Sequence, residues 1–230
     1  MENENALYGD ILKGLAVYFD SAFVSDIRET ARRFPRRELG YALNHNQTAS
    51  KTWLMDALHG ATGGRVGTVC ILGGWYGVLG AMLLHDRRFD VEKVLNVDID
   101  PSCAPVAESL NRTHMEDGKF RCLTADMYEL DYRETDWQGQ GEDGGRRSAG
   151  PDLIINTACE HLARFDEWYG RIPEGMLLAL QSNDFFDYRD HVNCVPTLAA
   201  FKDQAPMAEV LFEGELKLRK YTRFMLIGRR

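Results

Sequence analysis

A chain of 230 residues with a net charge of −8 is long enough to bury one sizeable core and too acidic to offer the basic footprint that a phosphate backbone requires. Hydrophobic residues make up 44% and charged residues 27% of it, an ordinary balance for a globular domain, and no apolar run approaches the roughly 20 residues that span a bilayer. The five cysteines, Cys70, Cys103, Cys122, Cys159 and Cys194, are odd in number and form no Cys-x-x-Cys pair, which argues against a disulfide framework and a zinc site.

The first residues, Met1-Glu2-Asn3-Glu4-Asn5, are acidic and polar, unlike a secretory or an Arg-rich transit segment. A cytoplasmic location is therefore expected. Residues 6–34 carry Leu7, Ile11, Leu12, Leu15, Ala16 and Phe19, then Phe23, Ile27 and Ala31, at helical spacing. Pro35 ends that run, because proline disfavours helix in the residue before it. The basic cluster Arg32-Arg33-Phe34-Pro35-Arg36-Arg37 reads as a solvated face. A polar stretch, Leu43 to Lys51, leads into the helical Trp53-Leu54-Met55-Asp56-Ala57-Leu58, with Thr48 or Ser50 as its cap. Gln47, Ser50 and Lys51 are candidates to face a ligand, against capping and solvent-exposed roles.

Residues 66–98 organise the rest. The apolar run Val66 to Leu72 breaks into Gly73-Gly74-Trp75-Tyr76-Gly77, a helix follows, and a second apolar run, Val94 to Val97, ends in Asp98. This is a βαβ unit with its glycines at the end of a strand. Glycines there let a ligand approach the backbone. Asp98 follows Gly77 by 21 residues, the spacing at which an acid takes hydrogen bonds from ribose hydroxyls. Pro101 marks the next helix, and Phe120 to Thr124 is a third strand running into Ala125-Asp126-Met127. Residues 137–150 are Gly-rich and read as a flexible surface loop. Leu153 to Asn156 is a fourth strand, followed by Thr157-Ala158-Cys159-Glu160-His161 and a helix through Phe165, Trp168 and Ile172. Met176 to Gln181 is a fifth strand, followed by Ser182-Asn183-Asp184. A short helix near residues 197–204 precedes two closing runs, 207–218 and 221–228, joined too tightly for a parallel crossover.

Five strands alternating with helices give a parallel sheet covered on both faces. The expected fold is α/β: a Rossmann-like, seven-stranded, mostly parallel sheet with an antiparallel last strand and an amino-terminal helical cap. The expected division is a cap at 1–60 and a ligand-binding domain at 61–230. Ligands of such sheets sit beyond the carboxyl ends of the strands. That rule gathers Gly73–Gly77, Asp98, Asp126 and Asn156–His161 at one edge.

The pattern resembles the class I S-adenosylmethionine-dependent methyltransferases over residues 66–230. The resemblance implies S-adenosylmethionine as cofactor and S-adenosylhomocysteine as product. Gly73, Gly74, Trp75, Tyr76 and Gly77 would pass the methionine part; Asp98, with Ile99 beside it, would hold the ribose. Asp126 would recognise the adenine amino group while Met127 stacks on the ring, and Asn156 to His161 would border methyl transfer. Two positions depart from the family pattern: Ile71 stands where an acid is usual, and Trp75 replaces the middle glycine. Leu72-Gly73-Gly74 is also similar to the aminopropyltransferases of the same fold, which continue with a glycine and an acid where this chain has Trp75 and Tyr76.

The expected activity is methyl transfer to N or O of a small molecule. The alternatives are an aminopropyltransferase-like enzyme and a non-catalytic nucleoside-binding or scaffold protein. Glu160 and His161 are the candidate substrate anchor and base, since imidazole titrates in the useful range; a helix cap and an exposed loop histidine are their bland alternatives. His191 is a further catalytic candidate. Asp184 and Asn193 are candidates for substrate binding against ordinary turn roles. No clustered carboxylates mark a metal site, and none is expected. The expected partners are a small-molecule substrate and, in a homodimer, a second copy of the chain, with neither nucleic acid nor a membrane.

Overall fold

The computed structural model describes residues 11, 13–15, 22–133 and 150–230. Leu7, Leu12, Ala16 and Phe19 of the expected first helix, and the Gly-rich loop at 137–149, lie outside the described residues.

Before the sheet come helices α1 (Ala22–Arg33), α2 (Arg36–Ala42) and α3 (His45–Thr62). Pro35 stands at the break between α1 and α2. The cap of α3 is Asn44, whose side chain accepts from the Gln47 N–H. This corrects the expectation of Thr48 or Ser50, which lie inside the helix. Ser50 is buried and donates from Oγ to Gln181 Oε1 at 2.8 Å, so its hydroxyl serves tertiary packing. At the other end α3 stops at Gly63, in the left-handed region at φ 65°, a common helix terminator.

The sheet and its connections follow as β1 (Arg65–Leu72), α4 (Val78–His85), β2 (Asp90–Asp98), α5 (Cys103–Leu110), α6 (Arg112–Glu116), β3 (Phe120–Thr124) and β4 (Leu153–Asn156). After a 3₁₀ turn at Cys159–His161 come α7 (Phe165–Arg171), β5 (Leu177–Asn183), α8 (Leu198–Gln204), β6 (Glu209–Lys217) and β7 (Thr222–Arg229). The strand order is β3-β2-β1-β4-β5-β7-β6. β1 through β5 pair in parallel, and β7 runs antiparallel between β5 and β6. The last strand is antiparallel, as the short connection requires.

The central strands are apolar throughout because the sheet is buried on both faces. Val69 and Ile71 of β1 pack with Leu54 and Leu58 of α3 and Leu79 and Leu83 of α4. Cys70 and Leu72 pack on the opposite face with Phe165 and Trp168 of α7 and Phe201 of α8. The expected boundary at residue 60 therefore falls near the end of a helix that shares the sheet's own core. α1 docks elsewhere: Thr30 Oγ1 donates to Ser109 Oγ of α5 at 3.0 Å, and buried Asp26 accepts from Thr113 Oγ1 of α6 at 3.0 Å.

Register determines what meets at the carboxyl edge. Leu72 stands opposite Val97 on one side and Asn156 on the other, and Asp98 stands opposite Thr124. The segments leaving β1, β2, β3 and β4 therefore emerge side by side. Across the antiparallel pair, Asn183 at the end of β5 faces Arg223 near the start of β7.

Candidate functional site

A cleft of about 570 Å³ opens at that edge, within the range of small-molecule sites. Its first wall is the turn after β1. Gly74 has no room for a side chain, since a Cβ there would lie 2.2 Å from Asn96 Oδ1. Trp75 has φ 47°, a left-handed conformation that is strained for a bulky residue. Asp98 holds it there: Oδ2 accepts from the Trp75 N–H at 2.8 Å while Oδ1 accepts from the Asp100 N–H at 3.0 Å. Asn96 Nδ2 donates to the Trp75 carbonyl at 3.2 Å, and the Trp75 and Tyr76 rings stack at 4.7 Å. The Tyr76 hydroxyl donates to Glu38 Oε2 of α2 at 2.8 Å. Burial and the Glu38 carboxylate push that phenol up to about 12, so it stays a donor at neutral pH.

The second wall leaves β3. Asp126 Oδ1 accepts from the Tyr128 N–H at 2.9 Å, and the Arg164 guanidinium lies 4.2 Å from the Tyr128 ring centre. Asp126, Met127, Tyr128 and the exposed Ile99 all line the cleft.

The third wall follows β4. Glu160 is buried, and its Oε1 accepts from Asn183 Nδ2 at 2.6 Å and from Arg223 Nη2 at 3.0 Å. Arg223 is buried too and also donates to the Thr157 carbonyl. Glu160 Oε2 has no hydrogen-bond partner among the described residues. Next to it, the rings of His161 and His191 meet edge to face at 4.8 Å. The two loops are stitched together: Val192 and Asn193 N–H groups both donate to the Glu160 carbonyl at 2.9 Å, and Asn193 Nδ2 donates to the Cys159 carbonyl at 3.0 Å. Burial holds His191 below the ordinary histidine value, so its imidazole is neutral at pH 7.

On the α3 side, half-buried Lys51 donates to Gln47 Oε1 at 2.6 Å. Burial, with a contribution from the nearby Arg223 charge, brings its amine down to about 7. Lys51 therefore titrates near neutrality.

No protein-family model matches this chain, and no curated protein matches it. Solved structures do. The N-methyltransferase NodS from Bradyrhizobium japonicum WM9, in complex with S-adenosylhomocysteine, superposes with a TM-score of 0.57 at 13% identity, over 90% of this chain and 97% of that one. The methyltransferase SibL gives 0.53 at 17% identity, over 88% of this chain and 61% of its own. The [4+2]-cyclase SpnF gives 0.57 at 9% identity, over 80% and 82%. The chain has the Rossmann-like methyltransferase fold.

Within this methyltransferase fold, most residues singled out from sequence come together. Gly73, Gly74, Trp75, Tyr76, Asp98, Ile99, Asp126, Met127, Glu160, His161, Gln47 and Lys51 line one cleft. His191 is not among the lining residues, and its ring meets that of His161 at 4.8 Å. Gly77, at φ 69°, packs against Asn111 and Phe120 and starts α4. Asn156 is fully buried; its Oδ1 accepts from the Ala158 N–H at 2.9 Å. Asp184 and Asn193 lie off the cleft lining: Asp184 Oδ1 accepts from the Thr222 N–H at 2.6 Å, and Asn193 ties the His191 loop to the turn after β4. Asp184 thus serves backbone, and Asn193 serves backbone and the Gln204 side chain, whose Nε2 donates to its Oδ1 at 2.7 Å.

Sequence reading missed Arg223, Asn96 and Tyr128. Arg223 carries a detectable signal: an arginine directly before Phe224-Met225-Leu226-Ile227 is a charge entering a buried strand, where it needs a partner. One cluster bears on the expectation of no metal site. Glu160, His161 and His191 each offer one ligand atom, and these atoms lie within 4.8 Å of one another.

Proposed function

We propose that this protein is an S-adenosylmethionine-dependent methyltransferase that modifies N or O of a small molecule and releases S-adenosylhomocysteine. One observation carries the reading: the glycine turn, Asp98 and Asp126 share a single cleft with Glu160 and His161. Nucleoside recognition and acid–base groups thus meet where a donor and an acceptor fit together. The cofactor supplies an electrophilic methyl group on a sulfonium, which passes to the acceptor as the C–S electron pair returns to sulfur.

The residues do the rest. The Asp98 carboxylate keeps lone pairs free for ribose hydroxyls after serving Trp75 and Asp100. Asp126 takes the adenine amino group, with Ile99 and Met127 against the ring. α2, tied through Glu38 to Tyr76, covers the turn. His161 Nδ1 lies 2.8 Å from the Asp190 carbonyl, so the proton sits on Nδ1 and the Nε2 lone pair is left to receive the acceptor's proton. Alignment of donor and acceptor within the cleft supplies several kcal/mol more.

A small-molecule substrate fits both the cleft volume and the net charge of −8, which disfavours nucleic acid. All five cysteines are free thiols, as suits a reducing compartment such as the cytoplasm. Among the described residues no helix is long and apolar enough to cross a membrane.

Calorimetric titration with S-adenosylmethionine, S-adenosylhomocysteine and decarboxylated S-adenosylmethionine tests the assignment. Binding of the first two is expected. Preference for the decarboxylated compound would turn the assignment to aminopropyl transfer, and binding of none would leave a scaffold. The same titration has an expected pH signature. Below pH 7 Lys51 is a cation, and its charge opposes the sulfonium but not the neutral thioether. For charges roughly 10 Å apart at an effective dielectric of about 40, Coulomb's law gives about 0.8 kcal/mol, roughly fourfold. The affinity ratio of S-adenosylmethionine to S-adenosylhomocysteine should therefore rise several-fold from pH 6 to pH 8.5. Lys51→Met should flatten that rise; an unchanged rise in the variant would remove Lys51 as its source.

A further inference from the structure

We infer that Glu160, His161 and His191 form a binding site for one divalent first-row transition metal at the acceptor end of the cleft. This inference rests on the methyltransferase reading only for what the cation would do, not for its binding.

Three independent features point to it. The three side chains bring one ligand atom each to within 4.8 Å of one another. Both imidazoles are oriented by backbone carbonyls: His161 Nδ1 lies 2.8 Å from the Asp190 carbonyl and His191 Nδ1 lies 3.0 Å from the Phe185 carbonyl. A donor bond of that kind places the proton on Nδ1 and leaves Nε2 with its lone pair, the arrangement that metal-binding histidines use. Finally, Glu160 is only 3% exposed, and its Oε2 has no partner. Arg223 and Asn183 hold the other oxygen, Oε1, so the carboxylate is oriented with one oxygen spare. An unpartnered buried carboxylate oxygen is costly, and coordination would satisfy it.

The donor set also selects the metal. Two imidazoles and one carboxylate suit Zn²⁺, Fe²⁺, Co²⁺ or Mn²⁺, whereas Ca²⁺ and Mg²⁺ call for oxygen ligands. Arg223 offsets the single carboxylate charge, which further disfavours hard cations that rely on charge. Bonds of about 2.0–2.2 Å need the ligand atoms to close to about 3–3.5 Å. Closure would call for side-chain shifts at all three residues, with the exposed His161 the freest to move. Three protein ligands leave coordination positions open, as in catalytic metal sites. Glu160 and His161 line the cleft, so those positions would take an oxygen or nitrogen of the acceptor. His161 is then a ligand in place of a base: the cation would lower the acceptor's pKa, and the acceptor's proton would leave to solvent through the open cleft.

Tag-free protein stripped with chelator would be titrated with Zn²⁺ by calorimetry and with Co²⁺ by visible absorption. S-adenosylhomocysteine would be titrated into the same samples. One equivalent of metal is expected to bind, with affinity at least tenfold weaker in His161→Ala and in His191→Ala. The exposed position of His161 makes its variant a fair test of binding separate from folding. Absence of stoichiometric binding, or affinity unchanged from the parent in either variant, overturns the site. S-adenosylhomocysteine binding without metal binding defeats this inference alone, whereas metal binding without S-adenosylhomocysteine binding supports the site and defeats the cofactor reading.

Discussion

Arg223→Met is expected to destabilise the protein by about 3–5 kcal/mol, the usual cost of stripping one partner from a buried ion pair. For a chain of this size that is a fall in Tm of roughly 10 °C. Arg223 and Glu160 are 6% and 4% exposed at their side chains, with Nη2 and Oε1 3.0 Å apart. Without the guanidinium, the Glu160 carboxylate keeps only Asn183 on Oε1, and the Thr157 carbonyl loses its donor. Methionine fills similar volume, so the loss is electrostatic more than a matter of packing. Adding Glu160→Gln to Arg223→Met should recover most of the stability, because a neutral amide still accepts from Asn183 and leaves no buried charge unpaired. Chemical denaturation of the parent, both single variants and the double variant measures the coupling directly. Additive losses across the four proteins would show that the pair does not hold the turn after β4.

That pair also marks where sequence reading stops. The βαβ unit was legible because its signals are local: an apolar run, glycines, a helix and an acid within 33 residues. The order of strand ends then followed from topology, which is why Asp98, Asp126 and Glu160 could be placed in one site without coordinates. Arg223 pairs with a residue 63 positions away, and only the antiparallel register of β5 on β7 brings it there. Ser50 and Gln181, 131 positions apart, are the same case, and their pairing explains why the expected cap of α3 was misplaced. Asp184 and Asn193 show a different limit. Each is polar and sits near the end of a strand or in a ligand-side loop, as a binding residue would. Yet buried backbone groups also need partners, and short polar side chains are good at supplying them. Asp184 satisfies Thr222 N–H and Asn193 satisfies the Cys159 carbonyl. Composition cannot separate a side chain that serves backbone from one that serves a ligand. The juxtaposition of Glu160, His161 and His191 was hidden for a related reason: Glu160 and His161 adjoin in sequence, but His191 arrives from another loop.

Asp98→Ala is expected to weaken S-adenosylhomocysteine binding by at least 100-fold. Hydrogen bonds to a charged group contribute about 1.5–3 kcal/mol each, and the proposed ribose contact makes two. The carboxylate has a second task that complicates the reading of such a loss. It accepts from the Trp75 N–H at 2.8 Å and so holds a tryptophan at φ 47°, a conformation that costs an L-residue roughly 1–2 kcal/mol. Removing Asp98 therefore removes a ligand contact and an anchor of the turn together. Trp75→Gly separates the two, because glycine adopts a positive φ without strain. If the loss in Asp98→Ala came from a collapsed turn, Asp98→Ala/Trp75→Gly would regain most of the affinity. If it came from the ribose, the double variant would bind no better than Asp98→Ala, and that is the expected result. Unchanged affinity in Asp98→Ala itself would place the nucleoside elsewhere and remove the observation on which the proposed function rests.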